Sequence, residues 1–208
     1  MRSSTAADLP GRCKRCWVRL EFCVCSAIVE QRTATELVVV RHVREAFKST
    51  GTVRAAALVL PQLTCLEYGE TGHPALHDLE ALTDPGTFVL FPGEPSTPWA
   101  AAKGQVKRLV VLDGTWRQTR RMYQRLPPLH GLPRLTLPEK AQAVLRLRAG
   151  KLAEGRSTFE AIADALELLE GPQVSAGLTA FHALFVERVL KARGVWEQRT
   201  QAAEPPTR

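Results

Sequence analysis

Three short runs, ELVVV at 36–40, TFVLF at 87–91 and LVVLD at 109–113, are apolar at almost every position. A strand with one wet face alternates apolar and polar residues. A continuous apolar run bounded by Gly or Pro therefore predicts a strand buried on both faces, as in a parallel sheet. Helical spacing fills the intervals, at 44–60 leading into AALVLP, at 115–125, at 157–170 and at 174–193. Strands alternating with helices predict an α/β domain whose mostly parallel sheet carries helices on both faces. A chain of 208 residues has room for one such domain and a small appendage. The two ends, 1–10 and 198–208, have no apolar period and are expected to fray.

In sheets of this kind ligands sit beyond the carboxyl ends of the strands. The segments there read FPGE from Phe91 and DGTW from Asp113, and each holds a glycine that lets backbone approach a ligand. Asp113 falls at the ligand edge, where it is either a working carboxylate shielded by Trp116 or the N-cap of the next helix. On that helix Arg117, Arg121 and Arg125 share a face, and Arg120 lies beside Trp116 and Tyr123. Like charges at this spacing repel, which a solvated face tolerates and a phosphate track exploits. The net charge of +7 favours a polyanionic partner. His42 sits among Arg41, Arg44 and Lys48; its reading is structural or an RNA contact. Ser157 and Glu160 form an S-x-x-E capping box, which fixes a helix start and presents N–H groups either to an anion or to nothing but the cap. Gly150 and Gly155 flank 151–154, a loop that could close over a ligand. His73, His77, His130 and His182 show no metal-like spacing.

Cys13 and Cys16, then Cys23 and Cys25, form two close pairs, while Cys65 stands apart. Each pair suits one side of a tetrahedral metal, and a structural zinc site without an open position is the expected reading. The alternatives are a pair of disulfides, disfavoured in a reducing compartment, and free structural thiols, which rarely fall four within thirteen residues. No run of about 18 apolar residues and no secretory pattern occurs, so a cytoplasmic protein is expected. Arg12, Lys14, Arg15 and Arg19 decorate the cysteines. Trp17 there either stacks on a base or packs the knob onto the domain.

The Asp113-Gly114-Thr115-Trp116 signature resembles that of the DTW-domain proteins. The likeness extends through the cysteine cluster, the stretch RHVREAFKSTG at 41–51, the FPGE loop and the Ser157-Thr158-Phe-Glu160-Ala helix start, all in order. Ser49 stands where relatives often carry Asn. The family includes tRNA-uridine aminocarboxypropyltransferases and is grouped with trefoil-knotted SPOUT-type enzymes. The resemblance thus implies that fold, S-adenosylmethionine as co-substrate and tRNA as partner, with no membrane or obligate protein partner. It divides the chain into a tail and zinc knob at 1–30, a DTW catalytic domain at 31–197 and a disordered tail at 198–208. Asp113 would be the catalytic group, as a base for uridine N3 or as an electrostatic stabiliser. Phe91, Pro92, Gly93, Leu112, Gly114, Thr115, Trp116, Ser157, Thr158 and Glu160 would join it around the cofactor. Arg41, His42, Lys48, Arg117, Arg120, Arg121 and Arg125 would face RNA. Two other readings use the same features: a SPOUT-type RNA methyltransferase, and a non-catalytic zinc-ribbon RNA-binding protein.

Overall fold

The three apolar runs form neighbouring strands. A computed structural model describes residues 10–48, 50–69, 81–140, 145–147 and 155–201. Its strands are β1 (Glu36–His42), β2 (Thr64–Tyr68), β3 (Thr87–Leu90), β4 (Arg108–Asp113) and β5 (Arg134–Leu135). They form one sheet in the order β2-β1-β4-β3-β5, and every pairing is parallel. The helices are α1 (Val43–Ala46), α2 (Thr52–Val59), α3 (Trp99–Ala102), α4 (Trp116–Arg125), α5 (Thr158–Glu170), α6 (Pro172–Ala192) and α7 (Trp196–Gln201).

Successive residues of a strand point to opposite faces, so each apolar run feeds two cores. Leu37, Val39, Leu109 and Val111 pack with Phe159, Ile162 and Leu166 of α5 and Phe185 of α6. Val38, Val40, Val110 and Leu112 pack on the other face with Met122 of α4 and with Leu126 and Leu129. Cys16, Val18 and Val24 of the amino-terminal segment are buried in the first of these cores. Among the described residues no helix is long and apolar enough to cross a membrane.

Several expectations change. The helical pattern over 44–60 is two helices, separated by a turn in which Gly51 N–H donates to the Lys48 carbonyl at 2.9 Å. Arg54 holds that turn by donating to the carbonyls of Ala46, at 2.9 Å, and Lys48, at 3.4 Å. Strand β2 had no apolar signature because its residues are exposed or half-buried at the sheet edge, and β5 is too short to show one. The carboxyl-terminal end expected to fray from Gln198 starts as the helix α7, and 202–208 lie outside the described residues, as do 1–9.

Asp113 does not cap α4. Thr115 does, in a reciprocal box with Gln118: Thr115 N–H donates to Gln118 Oε1 at 2.6 Å and Gln118 N–H to Thr115 Oγ1 at 3.4 Å. A Cβ on Gly114 would lie 3.0 Å from Gln118 Cβ, which is why glycine stands between the carboxylate and the cap. The box at Ser157 and Glu160 is present as read, with bonds of 2.7 and 3.2 Å.

Phe159 is fully buried one residue beyond Thr158, against Phe181 and His182. Phe159→Ala is expected to cost about 3–5 kcal/mol of stability, measured by urea unfolding, because the cavity lies between two helices and the sheet.

Candidate functional site

The topology selects one crevice. The helix after β1 packs on one face of the sheet and the helix after β4 on the other, so the chain diverges between these neighbouring strands at their carboxyl ends, a switch point of the kind that binds ligands. An open cleft of about 520 Å³ lies there, lined by His42, Arg44, Tyr68, Arg117, Arg121 and Arg125 among others. Its described lining holds no carboxylate.

Strand parity divides the chemistry of this edge. The even residues Tyr68 and His42 are abreast on β2 and β1, touch edge-on at 6.3 Å and face the cleft. His42 Nδ1 accepts the Arg44 N–H at 3.2 Å. Its pKa is pulled below the ordinary imidazole range by burial and then by the Arg44 charge, against an opposite pull from Glu45, with Lys48 lowering it least. A neutral His42 with Nδ1 accepting carries its proton on Nε2 and offers a donor.

The odd residues Glu67, Arg41 and Asp113 are abreast on β2, β1 and β4. Arg41 donates to Glu67 through Nε at 3.1 Å and also through Nη2. Burial lowers the Arg41 pKa, but the Glu67 hydrogen bond and the charges of Cys65, Glu67 and Asp113 together raise it. Asp113 is 8% exposed, and its Oδ1 accepts the Thr158 hydroxyl at 2.5 Å. The last carboxylate of β4 is thereby tied to the first residue of α5.

A third group lies on the α4 side of β3. Trp116 stacks on Phe91 at 5.8 Å and Phe91 on Tyr123 at 4.4 Å, with ring planes 12° and 5° apart. Trp116 remains 49% exposed, so one end of the stack is open. It does not take the shielding role expected over Asp113, whose burial and hydrogen bond lie on the α5 side. Arg134 holds the FPGE loop to the stack by donating to the Tyr123 hydroxyl at 2.7 Å and the Glu94 carbonyl at 3.2 Å. A Cβ on Gly93 would sit 2.8 Å from Arg134 Nη1, and its φ is +129°, so this position requires glycine.

The four clustered thiols converge. Cys13 and Cys25 sulfurs are 3.6 Å apart, Cys16 and Cys23 sulfurs 3.7 Å, and all four lie within 4.8 Å of one another. A tetrahedral ion with bonds of about 2.3 Å to sulfur needs edges of about 3.8 Å, so the set fits a metal and not a pair of disulfides. Trp17 packs instead of standing free, with the Arg54 guanidinium 3.0 Å over its ring. This joins the knob to the turn between α1 and α2.

A family model for the DTW domain matches residues 11–190. The chain belongs to the DTW domain family. It is also similar to tRNA-uridine aminocarboxypropyltransferase 2 of Drosophila melanogaster, 28% identical over 176 residues that cover 79% of this chain and 70% of that one. No solved structure matches.

The DTW signature is thus split by the fold. Asp113 faces α5, Thr115 caps α4 and borders the cleft, and Trp116 ends the aromatic stack. Of the residues expected around a cofactor, Asp113, Ser157, Thr158 and Glu160 come together at the start of α5. Phe91, Pro92 and Gly93 follow β3, and the Leu112 side chain is committed to the second core. Of the expected RNA contacts, His42, Arg117, Arg121 and Arg125 line the cleft, joined by Arg44. Arg120 is exposed beyond the lining. Arg41 is turned to the opposite face and held by Glu67, and Lys48 is paired with Glu45 at 2.5 Å. Ser49, Gly150, 151–154, His73 and His77 lie outside the described residues. Glu67, Arg54 and Arg134 had not been singled out. Alternation of Cys65 and Glu67 within TCLEY was the available signal for Glu67, but Arg54 and Arg134 are recognised only by their spatial partners.

Cobalt(II) added to chelator-stripped protein is expected to give intense thiolate charge-transfer absorption that saturates at one equivalent. Cys25→Ser is expected to weaken both the absorption and the affinity.

Proposed function

We propose that this chain transfers the 3-amino-3-carboxypropyl group of S-adenosylmethionine to N3 of a tRNA uridine, releasing 5'-methylthioadenosine. The observation that carries this reading is the pairing of two unlike sites at one sheet edge of a DTW protein. A buried carboxylate is tied to a helix N-terminus on one face, and a cleft lined by arginines opens on the other. The similarity to a tRNA-uridine aminocarboxypropyltransferase supports the choice of reaction.

The co-substrate supplies an activated γ-carbon, attached to a sulfonium that leaves as a thioether. The residues supply position and charge. Arg117, Arg121 and Arg125 stand on successive turns of α4, and with Arg44 and the His42 Nε2–H they meet phosphates of the RNA. The open Trp116 face accepts a flat ring, at a stacking contribution of about 1–3 kcal/mol. The start of α5 receives the carboxylate of the amino-acid moiety through its N–H groups and positive dipole end. Asp113 either takes the N3 proton or holds positive charge of the co-substrate.

Cys13, Cys16, Cys23 and Cys25 hold zinc in this reading, with all four positions filled by sulfur and none left for chemistry. The trefoil-knotted form of the sheet belongs to the same proposal. It is supported by the match of the chain to the DTW domain family.

Incubation of the protein with unmodified tRNA and S-adenosylmethionine, followed by mass spectrometry, is expected to yield methylthioadenosine one-for-one with alkylated uridine. Methyl label in the tRNA, with S-adenosylhomocysteine as by-product, would establish methyl transfer instead. In a second measurement, Arg117→Ala and Arg121→Ala are each expected to weaken tRNA binding and to reduce the slope of log affinity against log salt by about one. Unchanged slopes would make the arginine row a solvated face.

A further inference from the structure

We propose that Asp113 seats the α-ammonium of the transferred aminocarboxypropyl group, while the first turn of α5 meets its carboxylate; this rests on the transfer reading above. Two neighbours favour the ionised form of Asp113. The Thr158 hydroxyl bond to Oδ1, at 2.5 Å, has the length of a charge-assisted O–H···O⁻ contact. Arg41 stands abreast on the same face of β1, fixed from its other side by Glu67. The row across three strands reads carboxylate, guanidinium, carboxylate. A carboxylate stabilised as an anion is a weak proton acceptor and a strong partner for a cation.

The reaction decides which cation. As N3 bonds to the γ-carbon, the carbon–sulfur bond breaks with its electron pair passing to sulfur, and the sulfonium becomes a neutral thioether. The N3 proton passes to solvent hydroxide. A carboxylate against the sulfonium would stabilise the ground state more than the transition state and slow the step. The ammonium keeps its charge throughout, so an anion there orients the group without opposing the reaction.

Ammonium and carboxylate share one carbon in this group, and Thr158 joins the two places that would hold them. Its side chain bonds Asp113, and its backbone lies in the first turn of a helix of 13 residues. The capping box engages the N–H groups of Ser157 and Glu160, so those of Thr158 and Phe159 are the ones that meet the anion.

Calorimetric titration of the full chain with three ligands tests this assignment. S-adenosylmethionine carries sulfonium and ammonium, S-adenosylhomocysteine only the ammonium, and methylthioadenosine neither. Asp113→Asn is expected to weaken the first two alike, by about ten- to a hundred-fold, and to leave the third unchanged. Thr158→Val, which keeps the side-chain shape, is expected to weaken the same two several-fold and guards against an Asn variant that fails to fold. Weakening of S-adenosylmethionine alone would move Asp113 to the sulfonium. Unchanged affinities for all three would restore it as a proton acceptor. Either result overturns the proposal and leaves the transfer reading standing. Failure of the unaltered protein to bind any of the three ligands would overturn the transfer reading itself.

Discussion

A sheet made only of parallel strands has no face to leave in water. Its crossovers lie on both sides, and here the central strands β1 and β4 are buried above and below by two separate cores. Polar groups that do chemistry are therefore confined to the strand ends. The order β2-β1-β4-β3-β5 sends the helices after β1 and β4 to opposite faces. The crevice between those two strands is the direct consequence.

The period of two within each strand then sorts the residues at that edge. His42 and Tyr68 continue the α4 face and join the arginines of α4 in the cleft. Arg41, Glu67 and Asp113 continue the α5 face and form a row of alternating charge. One residue of register separates a surface suited to a polyanion from a buried carboxylate suited to a cation. A slip of one residue would exchange them, so the apolar alternation that builds the two cores also fixes which charge faces which side.

The cysteine knob is bound into the same arrangement. Cys16, Val18 and Val24 are buried in the α5 and α6 core, and Trp17 lies under the Arg54 guanidinium. Arg54 in turn holds the carbonyls of Ala46 and Lys48 in the turn that follows His42 and Arg44. Burial, the Arg41 charge and, in the opposite sense, Cys16 leave the Arg54 pKa at about 10, so it remains a cation at neutral pH and keeps both contacts. The knob is therefore coupled by packing to the turn that borders the cleft, although its cysteines lie among residues distant in sequence.

Much of this was legible in the residues alone. Continuous apolar runs pointed to strands buried on both faces, which a parallel sheet between two helical layers provides. Four thiols within thirteen residues dictated a convergent cluster, and the Ser157 and Glu160 spacing dictated a capped helix start. These are local signals, set by neighbours along the chain. The strand TCLEY, the capture of Arg41 by Glu67, the packing of Trp17 and the bond from Thr158 to Asp113 were decided only by tertiary structure. Each depends on which strands become neighbours or which helix lands against a strand end. Thr158 and Asp113 are separated by 45 positions in the chain. No periodicity spans that distance, and only the packing of α5 against β4 brings the hydroxyl to the carboxylate.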